Sequence, residues 1–322
     1  MMLLDTGQLR PGPLVDRYHD AASGAWRAVA ARAATAPEHH LLRRQMFVDP
    51  DERVRRSALY AAWVSPSAND RDALLEAARL DPDSSSRSLA LRAVGGLGGE
   101  PAVLALMDRW ARANEPERIA IVDAWATAAS YGSGGRERLI WAVETTRGMP
   151  AVAAAAALAR QSDEVRTLGI VTLTRVLQSG TTEERRAAIR QVPLEDEDAR
   201  RAVEDAADDG DRQVRVLALA RLLETAPQQK SFREPLRKLA VGSDPVAYQA
   251  RAALAAAQDE SVRETLVAEL AAPRSFRRML AAQGLLALGD YEQVATALGD
   301  DDPRVRANVA CRVLAEAELS PR

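Results

Sequence analysis

The chain has 322 residues, 47% hydrophobic and 28% charged, with a formal net charge of −3. That balance excludes a disordered chain, and no stretch approaches the roughly 20 apolar residues of a membrane span. Aromatic residues are only 4%, so the core has to come from alanine, leucine and valine.

Two of the 43 basic residues are lysines, Lys230 and Lys238, which leaves 41 arginines and points to coding composition rather than to a site. The one cysteine, Cys311, excludes an intramolecular disulfide framework and any Cys-x-x-Cys centre. Met1 to Arg10 lacks the basic and apolar runs of a signal peptide, so a cytoplasmic location is expected. Nucleic-acid binders draw affinity from a basic excess, and none exists here, so nucleic acid is disfavoured as a partner.

Taken in chain order, the sequence divides into about ten similar units, near 13–36, 37–66, 67–99, 100–132, 133–162, 163–193, 194–226, 227–259, 260–289 and 290–319. The motif is an acidic opening with proline, an apolar residue, an arginine slot, and a small residue three positions on. The first unit has Trp26 in the slot. The second shows the motif most plainly, from Asp49-Pro50-Asp51 through Val54 and Arg55 to Ala58. Later slots are Arg87, Ile119, Ala153, Arg185, Arg215, Gln249, Arg277 and Arg306. Three residues after each slot the side chain is apolar, as at Ala90, Ala188 and Ala218.

Each unit reads as two helices. Prolines such as Pro50, Pro82, Pro116, Pro245, Pro273 and Pro303 suit a first helical turn, and Asp49, Asp81, Asp244 and Asp302 before them suit N-caps. Second amphipathic segments run through 71–79, 102–113 and 195–207. Glycine turns at 95–99, 132–135 and 288–290 close several units. The Ala151 to Ala159 run reads as a thin buried helix, and no strand pattern is found.

The Asp/Pro opening, the Val-Arg pair and the small residue three on resemble the HEAT repeat family, in the short bacterial form of phycobilisome-lyase-type proteins. The resemblance covers 14–319. It implies an all-α fold, an α-solenoid in which about ten helical hairpins stack as a right-handed superhelix, as one domain over 1–322. It also implies a ladder of slot arginines and opening aspartates between adjacent units, and first helices forming the convex layer with second helices lining a concave groove. One hairpin cannot bury its own apolar face, which independently requires neighbours to stack.

The chemistry of the chain is sparse. His39 and His40 are adjacent, about 100° apart on a helix, and with His19 they make no metal site. The glycines at 95–99 lack the strand, lysine and serine of a phosphate loop, and no Gly-x-Ser-x-Gly elbow occurs. No cofactor is expected, and Cys311 reads as packing. Phe47, Tyr60, Trp63, Trp110, Trp125, Tyr131 and Trp141 concentrate more than half the aromatics between 47 and 141. With Asp123, Arg56 and Arg92 among them, they can be either core or a groove.

Two function classes follow. The first is a non-enzymatic scaffold or adaptor holding an acidic or mixed peptide or a folded partner in the concave groove, through Arg56, Tyr60, Trp63, Arg92, Asp123, Arg186, Arg190 and Arg278. The second is a HEAT-like enzyme or enzyme subunit, resembling either an alkylpurine DNA glycosylase or a lyase or chaperone of a modified protein.

Overall fold

The computed structural model describes residues 10–132, 134–161 and 164–319. They form twenty α-helices and three short 3-10 turns, and no strand occurs among them. The chain divides into two compact units, Met1–Leu173 and Thr174–Arg322.

In the first unit the helices are α1 (Pro11–Tyr18), α2 (Gly24–Ala33), α3 (His40–Met46), α4 (Glu52–Val64), α5 (Arg71–Leu80), α6 (Ser84–Leu97), α7 (Gly99–Trp110), α8 (Glu115–Ser130), α9 (Gly135–Thr145) and α10 (Met149–Ala159). The division between the units falls within α11 (Val165–Ser179). The second unit continues with α12 (Thr182–Gln191), α13 (Glu197–Ala206), α14 (Arg212–Thr225), α15 (Lys230–Leu239), α16 (Pro245–Ala256), α17 (Arg263–Glu269), α18 (Ser275–Ala287), α19 (Tyr291–Ala297) and α20 (Pro303–Leu319).

Within each unit the even-numbered helices pack on one another in chain order, α2 through α10 in the first and α12 through α20 in the second. Odd-numbered helices pack against them: α5 on α6, α7 on α6 and α8, α15 on α14 and α16. The even helices start alike. Asp51, Asp83, Asp211 and Asp244 are N-caps whose carboxylates accept backbone N–H bonds, and Asn114 and Thr181 do the same.

Counting from the N-cap puts the repeat in register. Four residues on lie Arg27, Arg55, Arg87, Arg118, Val152, Arg185, Arg215, Tyr248, Arg278 and Arg306. Trp26, Ile119, Ala153, Gln249 and Arg277 are therefore each one residue out of the slot. Three positions further, Ala30, Ala58, Ala90, Ala155, Ala188, Ala218 and Ala281 are all buried. Alanine recurs there because that face meets the neighbouring helix, where a small side chain permits close approach.

The slot arginine makes two sets of bonds. In α4, Arg55 Nη1 donates to the carbonyls of Asp49 (3.0 Å) and Pro50 (3.3 Å), six and five residues before it, closing the loop into its own helix. Arg55 Nε and Nη2 then donate to the two Asp81 oxygens, at 2.8 and 3.3 Å, at the entry to α6. Arg27 pairs likewise with Asp49 (2.9 Å), Arg185 with Asp209 (2.8 Å) and Arg278 with Asp300 (2.6 Å). Each of these aspartates also accepts the backbone N–H two residues on, from Asp51, Asp83, Asp211 and Asp302.

The aspartates of Asp-x-Asp thus divide their work. The first receives the arginine of the preceding helix and the second caps its own. Asp49 and Asp81 are rung acceptors rather than N-caps, whereas Asp244 and Asp302 do cap. For the same reason Pro50, Pro82 and Pro273 precede their helices, while Pro116, Pro245 and Pro303 lie in first turns.

α10 carries Val152 in the slot, and two further helices rearrange their ion pairs. Tyr248 fills the slot of α16, and Arg251 replaces it from one turn later, where seven of the other nine carry alanine. Arg251 is buried, donates to the Ala240 and Gly242 carbonyls and pairs with Glu269 at 2.9 Å. In α8, Glu117 in the first turn takes Arg87 (2.7 Å) and Arg109 (2.7 Å) in place of an entry aspartate.

Glycine permits one particularly close approach. Gly95 and Gly96 lie inside α6 rather than in a turn. A Cβ on Gly95 would meet Ala124 Cα at 2.4 Å, so α6 and α8 pack backbone to backbone. Gly95→Ala should force these helices apart and destabilise the chain by about 1–3 kcal/mol. A urea midpoint equal to that of the parent would refute this packing.

The rungs also set the acid response. The hydrogen bond from Arg27 holds Asp49 below the usual carboxylate range, and that from Arg278 does the same for Asp300. Arg53 and Arg304 hold the N-caps Asp51 and Asp302 down to about 2. Carboxylates with depressed folded pKa values stabilise fully above their unfolded value of about 3.9 and lose that contribution as pH falls through the folded values. Stability is expected to decline from about pH 4 toward pH 2, and Asp49→Asn with Asp300→Asn to flatten that decline, read by urea unfolding at each pH.

Candidate partner-binding surface

The aromatic concentration between 47 and 141 separates into core and surface. Trp125 is fully buried, and Trp110 is almost so. Trp110 stacks on Trp125 with centroids 5.3 Å apart, and Trp141 meets both rings edge-on at 5.6 and 6.2 Å. These three rings, from α7, α8 and α9, form an aromatic knot in the alanine-rich core. Phe47 is buried as well, whereas Tyr131 is exposed.

Tyr60 and Trp63 remain at the surface at the end of α4. Their rings meet edge-to-face at 5.5 Å, and Trp63 is 38% exposed. The Arg32 guanidinium lies 3.0 Å from the Tyr60 ring centroid. On the following helices, Arg92 Nε pairs with Asp123 at 2.9 Å, with both groups partly exposed. Arg32, Tyr60, Arg92 and Asp123 each lie five residues after their slots, Arg27, Arg55, Arg87 and Arg118. They form one row across α2, α4, α6 and α8, helices packed in that order.

The remaining sequence candidates separate by role. Arg56, at the edge of this surface, pairs with Glu52 on its own helix and with Asp83 at 3.2 Å. In the second unit, Arg186 donates to Gln213 and to the Thr182 carbonyl, and Arg190 is exposed. Arg278 is a correction. It is the rung of α18, bidentate on Asp300, with Nη1 on the Ala272 carbonyl at 2.8 Å, and its guanidinium is committed to the stack. A slot at Arg277 places Arg278 on the groove face, whereas the N-cap at Arg274 makes Arg278 itself the slot. Arg277 instead pairs with Glu269 at 3.0 Å.

A slot on Trp26 hides Arg32, which lies five residues after Arg27. Counting from Arg27 reveals it, and the opposite step, from Ile119 to Arg118, brings Asp123 into the row. Among the described residues no group of histidine, cysteine and carboxylates is arranged to hold a metal ion, and no helix is long and apolar enough to cross a membrane. Trp125, which a glycosylase-like groove would need at its surface, lies in the core. The chain matches no protein-family model and no curated protein.

Arg278→Ala should destabilise the second unit by about 3 kcal/mol, since it leaves Asp300 without its partner. Arg190→Ala, at an exposed position, should stay within about 0.5 kcal/mol of the parent. Equal denaturation midpoints for the two variants would contradict this division.

Proposed function

We propose that the chain is an α-solenoid of about ten helical hairpins acting as a non-enzymatic scaffold that binds a partner protein or peptide. The in-order packing of even helices within each unit supports the solenoid reading, as do rungs at one fixed position after the N-cap. Such stacking is how hairpins that cannot bury their own apolar faces become stable.

The row across α2, α4, α6 and α8 carries the binding reading. It places tyrosine and two arginines in line with a carboxylate, beside a tryptophan left partly in solvent. Tyrosine, tryptophan and arginine dominate interface hot spots because they offer large contact area with a polar end. Arg92 and Asp123 neutralise each other, so the row suits a partner segment of mixed charge that exchanges this pair for two intermolecular ones. A purely acidic ligand would leave Asp123 opposed by a like charge.

The test is affinity purification with the full chain, followed by cross-link mapping of any stoichiometric protein recovered. Cross-links are expected at the row, with Tyr60→Ala plus Trp63→Ala weakening binding by about 100-fold, as for two hot-spot residues. A partner whose affinity ignores that pair and Arg92→Glu would remove the row from the binding surface.

A further inference from the structure

On a different face of the first unit, a cleft of about 810 Å³ opens between α3 and α5. Leu41, Val48 and Leu80 line it while remaining 60%, 78% and 58% exposed, over a floor that includes Phe47 and Ala77. Single exposed leucines are ordinary, but three large apolar side chains converging on one concavity mark a binding site.

The polar groups of the lining narrow the choice of occupant. Asp49 and Asp81 are held in rungs, and the Pro50 and Pro82 carbonyls already accept from Arg55 and Arg87. The walls are helices, whose main-chain groups are paired within their own turns. An incoming extended peptide would find no edge to pair with, whereas a helix satisfies its own backbone. Two charged side chains line the cleft with no ion pair among the described residues, Arg44 from α3 and Glu76 from α5.

We propose that this cleft docks an amphipathic helix of a partner protein. The apolar i, i+3/i+4, i+7 face of that helix would seat over Leu41, Val48 and Leu80. An acidic side chain on one flank meets Arg44, and a basic one on the other flank meets Glu76. The inference rests on the scaffold reading and adds a second, independent contact face to it.

A displayed library of amphipathic peptides of about five helical turns, with varied charges on both flanks, tests this when selected on the full chain. The comparison proteins are Val48→Asp/Leu80→Asp and Arg44→Glu/Glu76→Arg, with Leu80→Gln as a milder variant should the first melt early. Recovered peptides are expected to lose at least about tenfold in affinity on the aspartate variant. The charge-swapped chain should select peptides whose acidic and basic flanks are exchanged.

Peptides that bind parent and aspartate variant equally, or no recovery above that variant, would overturn the cleft as a helix site. So would self-association of the parent abolished by Leu80→Asp, which would give the cleft to a second copy. A partner that cross-links to the Tyr60–Trp63 row and ignores every cleft variant sinks this inference alone, leaving the scaffold reading intact. Cleft-bound peptides are expected to ignore Tyr60→Ala and Trp63→Ala, because neither residue lines the cleft.

Discussion

The bidentate bond from a slot arginine to the aspartate at the next even helix is the constraint on which the rest depends. Its geometry joins three things: the loop before one helix, the arginine within that helix, and the entry to the next. A lysine could reach the carboxylate, but only a planar guanidinium can hold two carboxylate oxygens while donating to a carbonyl from its remaining nitrogen. The pairs are largely removed from solvent, as at Asp81, whose side chain is 2% exposed. A buried pair adds little net stability against an apolar replacement, but losing one partner costs several kcal/mol. What the rungs contribute is register, because a slip of one residue strands both a charge and two carbonyls.

With register set by polar bonds, the apolar contacts can be nearly featureless. Seven alanines at one position of successive helices bury little area each, and a stack of such surfaces would slide freely without a lock. At two places where the rung pattern fails, something bulkier and more specific appears. Around α8, Glu117 replaces the entry aspartate, Arg118 lies over Trp110, and the three-tryptophan knot fills the same region. In α16, with Arg251 in the alanine position, the Tyr248 ring lies 5.0 and 5.4 Å from the guanidiniums of Arg251 and Arg277. These substitutions carry the locking function by shape instead of by a repeated ion pair.

Much of this was legible in the sequence, and the limits have definite causes. The all-helical class and the roughly 31-residue period show through because Asp, Pro, Arg and Ala recur in phase. The register is not legible from the apolar neighbours of the slot, because the N-cap alone fixes it. Arg27, Arg118 and Arg278 each have another candidate beside them, and a helix turns 100° per residue, so one step moves a side chain to a different face. That single step moved Arg278 from rung to supposed groove and concealed Arg32. Burial of Trp125 against exposure of Trp63 was not legible, because both are flanked by alanine and only the packing of α7 and α9 separates them.

The same logic accounts for where the two surfaces proposed for partners lie. A rung consumes the charges near each helix start, so arginines and aspartates there are unavailable however exposed the loop. Binding chemistry must come from positions the stack does not use. Five residues after the slot is one such position, a little over one turn along the helix, and there the side chains of adjacent helices meet only at their tips. The residue before each Asp-x-Asp opening is another. Val48 and Leu80 occupy it in successive repeats, outside the rung, and both stand largely in solvent. An apolar residue kept in solvent at the same place in two consecutive repeats, above a shared cleft, is accounted for by what it touches outside the chain.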